Sequence, residues 1–318
     1  MTRIVAPPTP AALDDAAAVV AGRLRPTPLV PAPALGPDVH LKLETLQPTG
    51  SFKVRGALAA LAGAGPGARV VTASAGNHAL GIAWAAAALG VHATVVVPET
   101  ASPAKLAALD ALPVEVVRHG RGYDDAEARA IALAADGARY VSPYNDTEVI
   151  AGQATLGREL DAQLAAVPVT VVCALGGGGL ASGLGLWAAG RRGATVAGVE
   201  AERSPAFTAA LAAGAITPID PGETFADGLG GNLEPGSATF PLVRDHVASL
   251  ATVSEPEIEE AMRFLARAHG LVAEGAGAVA AAGVLTGRVP RGDGALVIVV
   301  SGRNVALARL AGVLARGV

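Results

Sequence analysis

The chain has 318 residues, 51% hydrophobic but only 3% aromatic; this length allows one large or two smaller globular units, packed from small and branched side chains, and excludes a disordered chain. A net charge of −4, with no dense Lys/Arg cluster interleaved with aromatics, argues against nucleic acid as partner and for a small molecule. The single cysteine, Cys173, excludes a disulfide framework and a cysteine-based zinc cluster, and makes a reducing cytoplasm the default compartment.

The N-terminal MTRIVAPPTP lacks the apolar core of a signal peptide. In TGSFKVRGA, residues 49–57, Lys53 follows a Gly-Ser turn and opens an alanine-rich helix. Taken alone, it reads first as a solvated surface charge. From 70 to 146 the pattern alternates through RVVTAS, HALGIAWAAAALG, ATVVVP, SPAKLAALDAL, VEVVRHG, YDDAEARAIALAAD and ARYVSPY, which predicts a parallel sheet of about four strands with helices between them. A second α/β series starts near 151: helix IAGQATLGRELDAQL, strand VTVVCAL, helix ASGLGLWAAG, strand TVAGVEAE and helix SPAFTAALAAG. Within it, Val169 to Gly190 carries no charge, but four consecutive glycines at 176–179 interrupt the run, so no membrane-spanning helix is expected. Cys173 reads as a core residue of its strand. A Pro/Gly-rich connection at 217–236 precedes a helix whose start is marked by capping-box spacing of Ser254 and Glu257; strand ALVIVVS and helix ALARLAGVLA close the chain.

Two α/β units therefore follow one another, and ligands of such sheets bind beyond the carboxyl ends of the strands. Three strand-end segments carry chemistry. SAGNHA, with Ser74, Ala75, Gly76, Asn77 and His78, offers N–H groups and short polar side chains to a carboxylate, or is an ordinary helix cap. Gly176, Gly177, Gly178, Gly179 and Leu180 form a glycine loop that suits a phosphate, or serves tight strand-helix packing. It is not a Walker loop, and its match to a dinucleotide fingerprint is weak. In SGRN, Ser301 either points its hydroxyl into the same crevice or caps the last helix. A phosphate cradle, a carboxylate cradle, a lysine and a hydroxyl together suit pyridoxal 5'-phosphate, whose aldehyde bonds a lysine and whose ring accepts electrons from Cα.

KLETLQPTGSFKVRGA, TASAGNHALGIA, GGGGLASG and SGRN resemble, in order and spacing, the serine/threonine dehydratases among fold type II (tryptophan synthase β-like) pyridoxal-phosphate enzymes. The resemblance implies two open, twisted parallel-sheet α/β domains with the cofactor in the cleft between them: 1–68 with 147–318 as the larger unit, and 69–146 as the smaller. It implies that Lys53 carries the cofactor, Phe52 lies against its ring, Asn77 bonds the ring oxygen, residues 176–180 hold the phosphate and Ser301 meets the pyridine nitrogen. Substrate would dock on Ser74 to His78, with Glu274 of EGAGA as a further acid. Glu274 also reads as a helix-start carboxylate.

The implied reaction is deamination of L-threonine or L-serine to 2-oxobutanoate or pyruvate, with Lys53 as the base that removes the Cα proton. Serine racemases resemble the chain closely but carry a second serine where Ala75 stands, so elimination is favoured over racemisation. A racemase, a dehydratase of another hydroxyamino acid such as 3-hydroxyaspartate, and a nucleotide-dependent oxidoreductase or binding protein are the alternatives. Arg303 departs from the family's SGGN and bears on substrate preference. Relatives with a structural cation place a second acid about six residues after the first; Glu200 is followed by Ser204, Pro205 and Ala206, so no metal is expected. The resemblance also implies a homodimer, and no appended regulatory domain is expected after the closing helix.

Overall fold

The computed structural model describes residues 3–101, 103–164 and 168–316. Helix α1 (Pro10–Ala21) starts at Thr9, whose hydroxyl accepts from Ala12 N. The antiparallel pair β1 (Leu29–Pro31) and β2 (Val39–Leu43) leads to α2 (Lys53–Ala62). Then come β3 (Arg69–Ala73), α3 (Asn77–Leu89), β4 (His92–Val97), α4 (Pro103–Asp110), β5 (Glu115–Arg118), α5 (Tyr123–Ala134) and β6 (Arg139–Tyr140). The chain continues through α6 (Thr147–Gln163), β7 (Val169–Ala174), α7 (Gly179–Ala189), β8 (Ala194–Ala201) and α8 (Ala206–Ala213). It closes with α9 (Thr239–His246), β9 (Ser249–Val253), α10 (Glu255–His269), α11 (Gly275–Leu285), β10 (Ala295–Val300) and α12 (Leu307–Ala315).

Two sheets result. A four-stranded parallel sheet runs β5-β4-β3-β6, and a six-stranded sheet runs β1-β2-β10-β7-β8-β9, parallel except at β1. The expected four parallel strands of the 70–146 region are these. Each sheet reverses its winding once. In the smaller sheet β4 and β5 extend from one side of β3 and β6 returns on the other; in the larger, β8 and β9 extend from one side of β7 and β10 returns on the other. Loops at the carboxyl ends of β3 and β6, and of β7 and β10, therefore diverge into crevices where a ligand can enter.

β10 explains why its sequence is uninterrupted Val, Ile and Leu. Leu296, Ile298 and Val300 pack into the layer of α10 and α11, while Val297 and Val299 pack into the layer of α6, α7 and α9, so both faces are buried. Cys173 belongs to the second layer, is fully buried, and burial pushes its thiol up to about 12. Helix α2 packs against α3 and α6 around Val54, Leu58 and Leu61. The capping box is present, Ser254 N donating to Glu257 Oε2 at 2.7 Å.

Several features depart from the sequence reading. Helix α9 and edge strand β9 lie between the 217–236 connection and α10; the partial exposure of β9 leaves it without a continuous apolar run. Helix α6 begins at Thr147 because the Asp146 carboxylate accepts from Glu148 N and Val149 N, at 3.1 and 3.2 Å. Ser301 does not cap the last helix, which starts six residues later behind Ala306.

Candidate active site

Helix α2 bears Lys53 as its first residue but has no capping side chain: Phe52 occupies the cap position and bonds nothing with its ring. Its start is tied down from outside. Ser51 bridges to Gly302, and Phe52 N donates to Ser301 O at 3.1 Å, joining the segment to the end of β10. The Lys53 amine lies 5.2 Å from the centre of the Phe52 ring and donates to the Pro143 carbonyl at 2.8 Å. Burial, with no carboxylate to offset it, brings its pKa from 10.5 down to about 8. An appreciable fraction is thus the free base near neutral pH.

The loop after β3 lies close enough to that amine for its charge to act on His78. Ser74 Oγ accepts from Gly76 N at 3.2 Å, and the N–H groups of Ala75, Asn77, His78 and Ala79 meet no acceptor among the described residues. The Asn77 carboxamide is held on both sides: Nδ2 donates to Glu274 Oε1 at 2.6 Å, and Oδ1 accepts from Asn304 Nδ2 at 2.6 Å. Glu274 stands at the start of α11, yet its carboxylate turns across to Asn77 instead of capping the helix. His78 is buried with neither ring nitrogen in hydrogen-bond geometry; burial and the nearby Lys53 charge lower its pKa to about 3, against a weak opposing pull from the Val141 carbonyl.

The loop after β7 is built from glycine because protein crowds one side of it. A Cβ on Gly177 would overlap the Tyr144 ring, and one on Gly176 would lie 2.9 Å from Leu229 Cα. Gly178, at φ +86°, would meet Phe207 Cζ at 2.5 Å. The packing and cradle readings of these glycines are compatible: Tyr144, Leu229 and Phe207 press the loop from the protein side, and its N–H groups remain available. Those of residues 176–181 donate to no acceptor among the described residues, and the next, Ser182 N, bonds Gly178 O at 2.8 Å. They form the amino end of an 11-residue helix, an anion site by dipole and by open donors.

The Ser301 hydroxyl is buried and donates to Ala276 O at 3.2 Å, which leaves its oxygen as an acceptor. Arg303 turns back onto the 44–46 turn and donates to the Thr45 carbonyl. Glu200, near the end of β8, is buried, its carboxylate accepting from Phe207 N, Thr208 N and Thr208 Oγ1 in the first turn of α8 at 2.7, 2.9 and 2.5 Å.

The loop after β6, residues 142–146, is the part that sequence reasoning missed. Pro143 supplies the acceptor for Lys53, the Tyr144 ring backs the glycine loop, and Asn145 bonds Glu234 Oε2 at 2.6 Å and Ala238 N at 3.0 Å. Its signal is present: SPYND is a fourth strand-to-helix junction, closing the run already read as ARYVSPY. Asn304, next to the recognised SGR, is the other omission.

A pyridoxal phosphate fits these residues: six open N–H groups for its phosphate, a buried lysine amine with no carboxylate partner for its aldehyde, and buried Ser51 and Ser182 hydroxyls left without partners. Over residues 20–302 the chain matches the family described as "Pyridoxal-phosphate dependent enzyme". It is 40% identical over 275 residues to the L-threonine ammonia-lyase of Thermotoga maritima, covering 85% of this chain and 68% of that one. Among solved structures, the processed form of threonine deaminase isoform 2 from Solanum lycopersicum superposes with a TM-score of 0.85 at 29% identity, covering 98% of this chain and 96% of that one. Maize serine racemase superposes at 0.88 with 27% identity, covering 98% of each. The chain belongs to the pyridoxal-phosphate dependent enzymes of fold type II.

Proposed function

We propose that the chain is a pyridoxal-phosphate dependent ammonia-lyase that deaminates L-threonine, and L-serine, to 2-oxobutanoate or pyruvate and ammonia. The observation that carries this reading is the Lys53 amine, desolvated with its pKa at about 8, at the site framed by an open carboxylate loop and an open phosphate loop. Residues 1–68 and 147–318 serve as the cofactor-binding unit, and 69–146 carries the carboxylate loop.

The N–H groups of Ala75, Asn77, His78 and Ala79 bind the substrate carboxylate, with the helix dipole of α3 behind them. The N–H groups of 176–181 and the amino end of α7 bind the cofactor phosphate. Lys53 would hold the cofactor by its aldehyde, and its amine, released when the substrate's amine takes that place, would accept the Cα proton. When bound, the cofactor supplies a sink for the electron pair left at Cα. Asn77, held by Glu274 and Asn304, would meet the ring oxygen with its amide, and Ser301 would offer a neutral hydroxyl to the ring nitrogen. His78 stays neutral at working pH, so the carboxylate is met there by backbone N–H groups and not by an imidazolium charge.

Ala75 favours elimination over racemisation. A racemase needs a second acid/base on the face opposite the lysine, and a methyl group cannot supply a proton there. The reading carries with it a homodimer and a cytoplasmic setting, to which the single buried thiol of Cys173 is suited.

Keto-acid formation should be assayed on a panel of L- and D-hydroxyamino acids with 3-hydroxyaspartate included. L-threonine and L-serine should give 2-oxobutanoate and pyruvate, with D-serine formation from L-serine at least tenfold slower. Turnover of 3-hydroxyaspartate alone, or racemisation faster than keto-acid release, would overturn the assignment.

A further inference from the structure

Two residues beyond Lys53, on the opposite side of the same helical turn, Arg55 is fully buried. Its guanidinium makes a bidentate fork onto Glu44, Nε to Oε2 and Nη2 to Oε1, both at 2.7 Å. Its third nitrogen, Nη1, donates to Glu159 Oε1 at 2.6 Å and to Thr155 Oγ1 at 3.2 Å. Lys42 completes the cluster, all three of its protons directed: to Glu159 Oε2 at 2.5 Å, Thr27 O at 2.8 Å and Gln163 Oε1 at 2.8 Å. Two positive and two negative side chains from β2, the 44–46 turn, α2 and α6 thus form one neutral network.

Such a network is a poor stabiliser, because desolvating four charges offsets most of their attraction. The apolar contacts of Val54, Leu58 and Leu61 already hold α2 in its layer. Those contacts are non-directional, and the backbone ties of Ser51 and Phe52 to the end of β10 hold the approach to α2, so the rotation of its first turn about the helix axis still calls for a directional partner. The turn has no capping side chain to set it. The bidentate fork does set it, since a planar guanidinium bonds a planar carboxylate in one orientation. Two close approaches allow little slack around it: a Cβ on Gly152 would lie 2.6 Å from Arg55 O, and one on Gly81 would lie 3.2 Å from Lys53 O.

We propose that Arg55, clamped by Glu44 and Glu159, is a positioning residue that fixes the amine of Lys53 in the site. The proposal rests on the assignment of Lys53 above. A displacement of about 1 Å at a reacting group costs on the order of 100-fold in rate, so a role in positioning is visible in kcat.

The test compares wild type, Arg55→Lys and the double variant Arg55→Met with Glu44→Gln. The double variant removes the fork and its unpaired charge together and leaves the Lys42–Glu159 pair intact. Three properties are read: kcat and KM for L-threonine, the thermal midpoint, and, in cofactor-free protein, the pH midpoint of trinitrobenzenesulfonate labelling at Lys53 followed by peptide mass. Arg55→Lys should lower kcat roughly 10- to 100-fold with KM changed by less than about threefold, and should raise the Lys53 labelling midpoint. In the double variant the thermal midpoint should recover toward wild type while kcat and the labelling midpoint do not. A kcat within twofold of wild type, or a kcat that recovers together with the thermal midpoint, would overturn the proposal. If Arg55→Lys does not fold, the double variant decides. Wild type without threonine turnover would instead defeat the functional assignment, and the labelling midpoints would still report on Arg55.

Discussion

Lys53 combines an amine removed from water with the absence of any carboxylate to hold its proton. Both circumstances act in one direction, and the folded pKa of about 8 lies below the 10.5 of the unfolded chain. Below pH 8 both states carry the charge, and the folded state bears the full cost of burying it. Between the two values the folded state has released the proton that the unfolded state still binds, so stability rises with pH across that window, by up to about 3 kcal/mol. In cofactor-free protein, Lys53→Met should therefore be more stable than wild type at pH 7, by urea unfolding, and its advantage should narrow as the pH approaches 10. An advantage constant from pH 7 to 10 would mean that the amine is solvated. The glycine loop makes a different point at this scale. Its residue types were readable as a cradle or as packing, and Leu229, Tyr144 and Phe207 show that the glycines serve their protein neighbours while their N–H groups donate to no acceptor among the described residues.

At the scale of elements, the site was legible where an apolar strand ends in a polar, glycine-containing junction. SAGNH, GGGGL and SGRN all have that form, and each lies at the carboxyl end of a strand. The loop after β6 was not singled out because β6 has only two residues and no apolar run to mark it. Its carboxylate Asp146 nevertheless starts α6 and pairs with Arg139 at 3.1 Å, which fixes the segment carrying Pro143 and Tyr144. Asp146→Ala should cost about 1–2 kcal/mol of stability for the lost cap, and should also weaken cofactor retention measured by dialysis, because the loop bears on both Lys53 and the glycines. An equal loss of stability with unchanged retention would confine Asp146 to capping. Helix α11 was legible only at its start, where Glu274 also reads as a helix-start carboxylate: GAGAVAAAGVL is apolar on every side and lies buried, so it shows no amphipathic period.

Over the whole molecule, the α/β class and the parallel sheets follow from the alternation of apolar runs with helical ones, but the strand order does not. Nothing local in ALVIVVS says that β10 returns between β2 and β7. That return brings Ser301 and Asn304 beside the start of α2 and, through Glu274, ties the larger sheet to Asn77 of the smaller one. The buried Arg55 cluster escaped the sequence reading for the same reason, since Glu44, Arg55 and Glu159 come together only when β2, α2 and α6 pack.

The central claim is that Lys53 binds the cofactor covalently and serves the reaction. Borohydride reduction of cofactor-loaded protein, followed by peptide mass mapping, tests it most directly. Loss of the yellow colour with a pyridoxyl adduct on Lys53 is expected, together with a colourless, inactive Lys53→Ala variant. An adduct on another lysine, or threonine deamination surviving in Lys53→Ala, would contradict it.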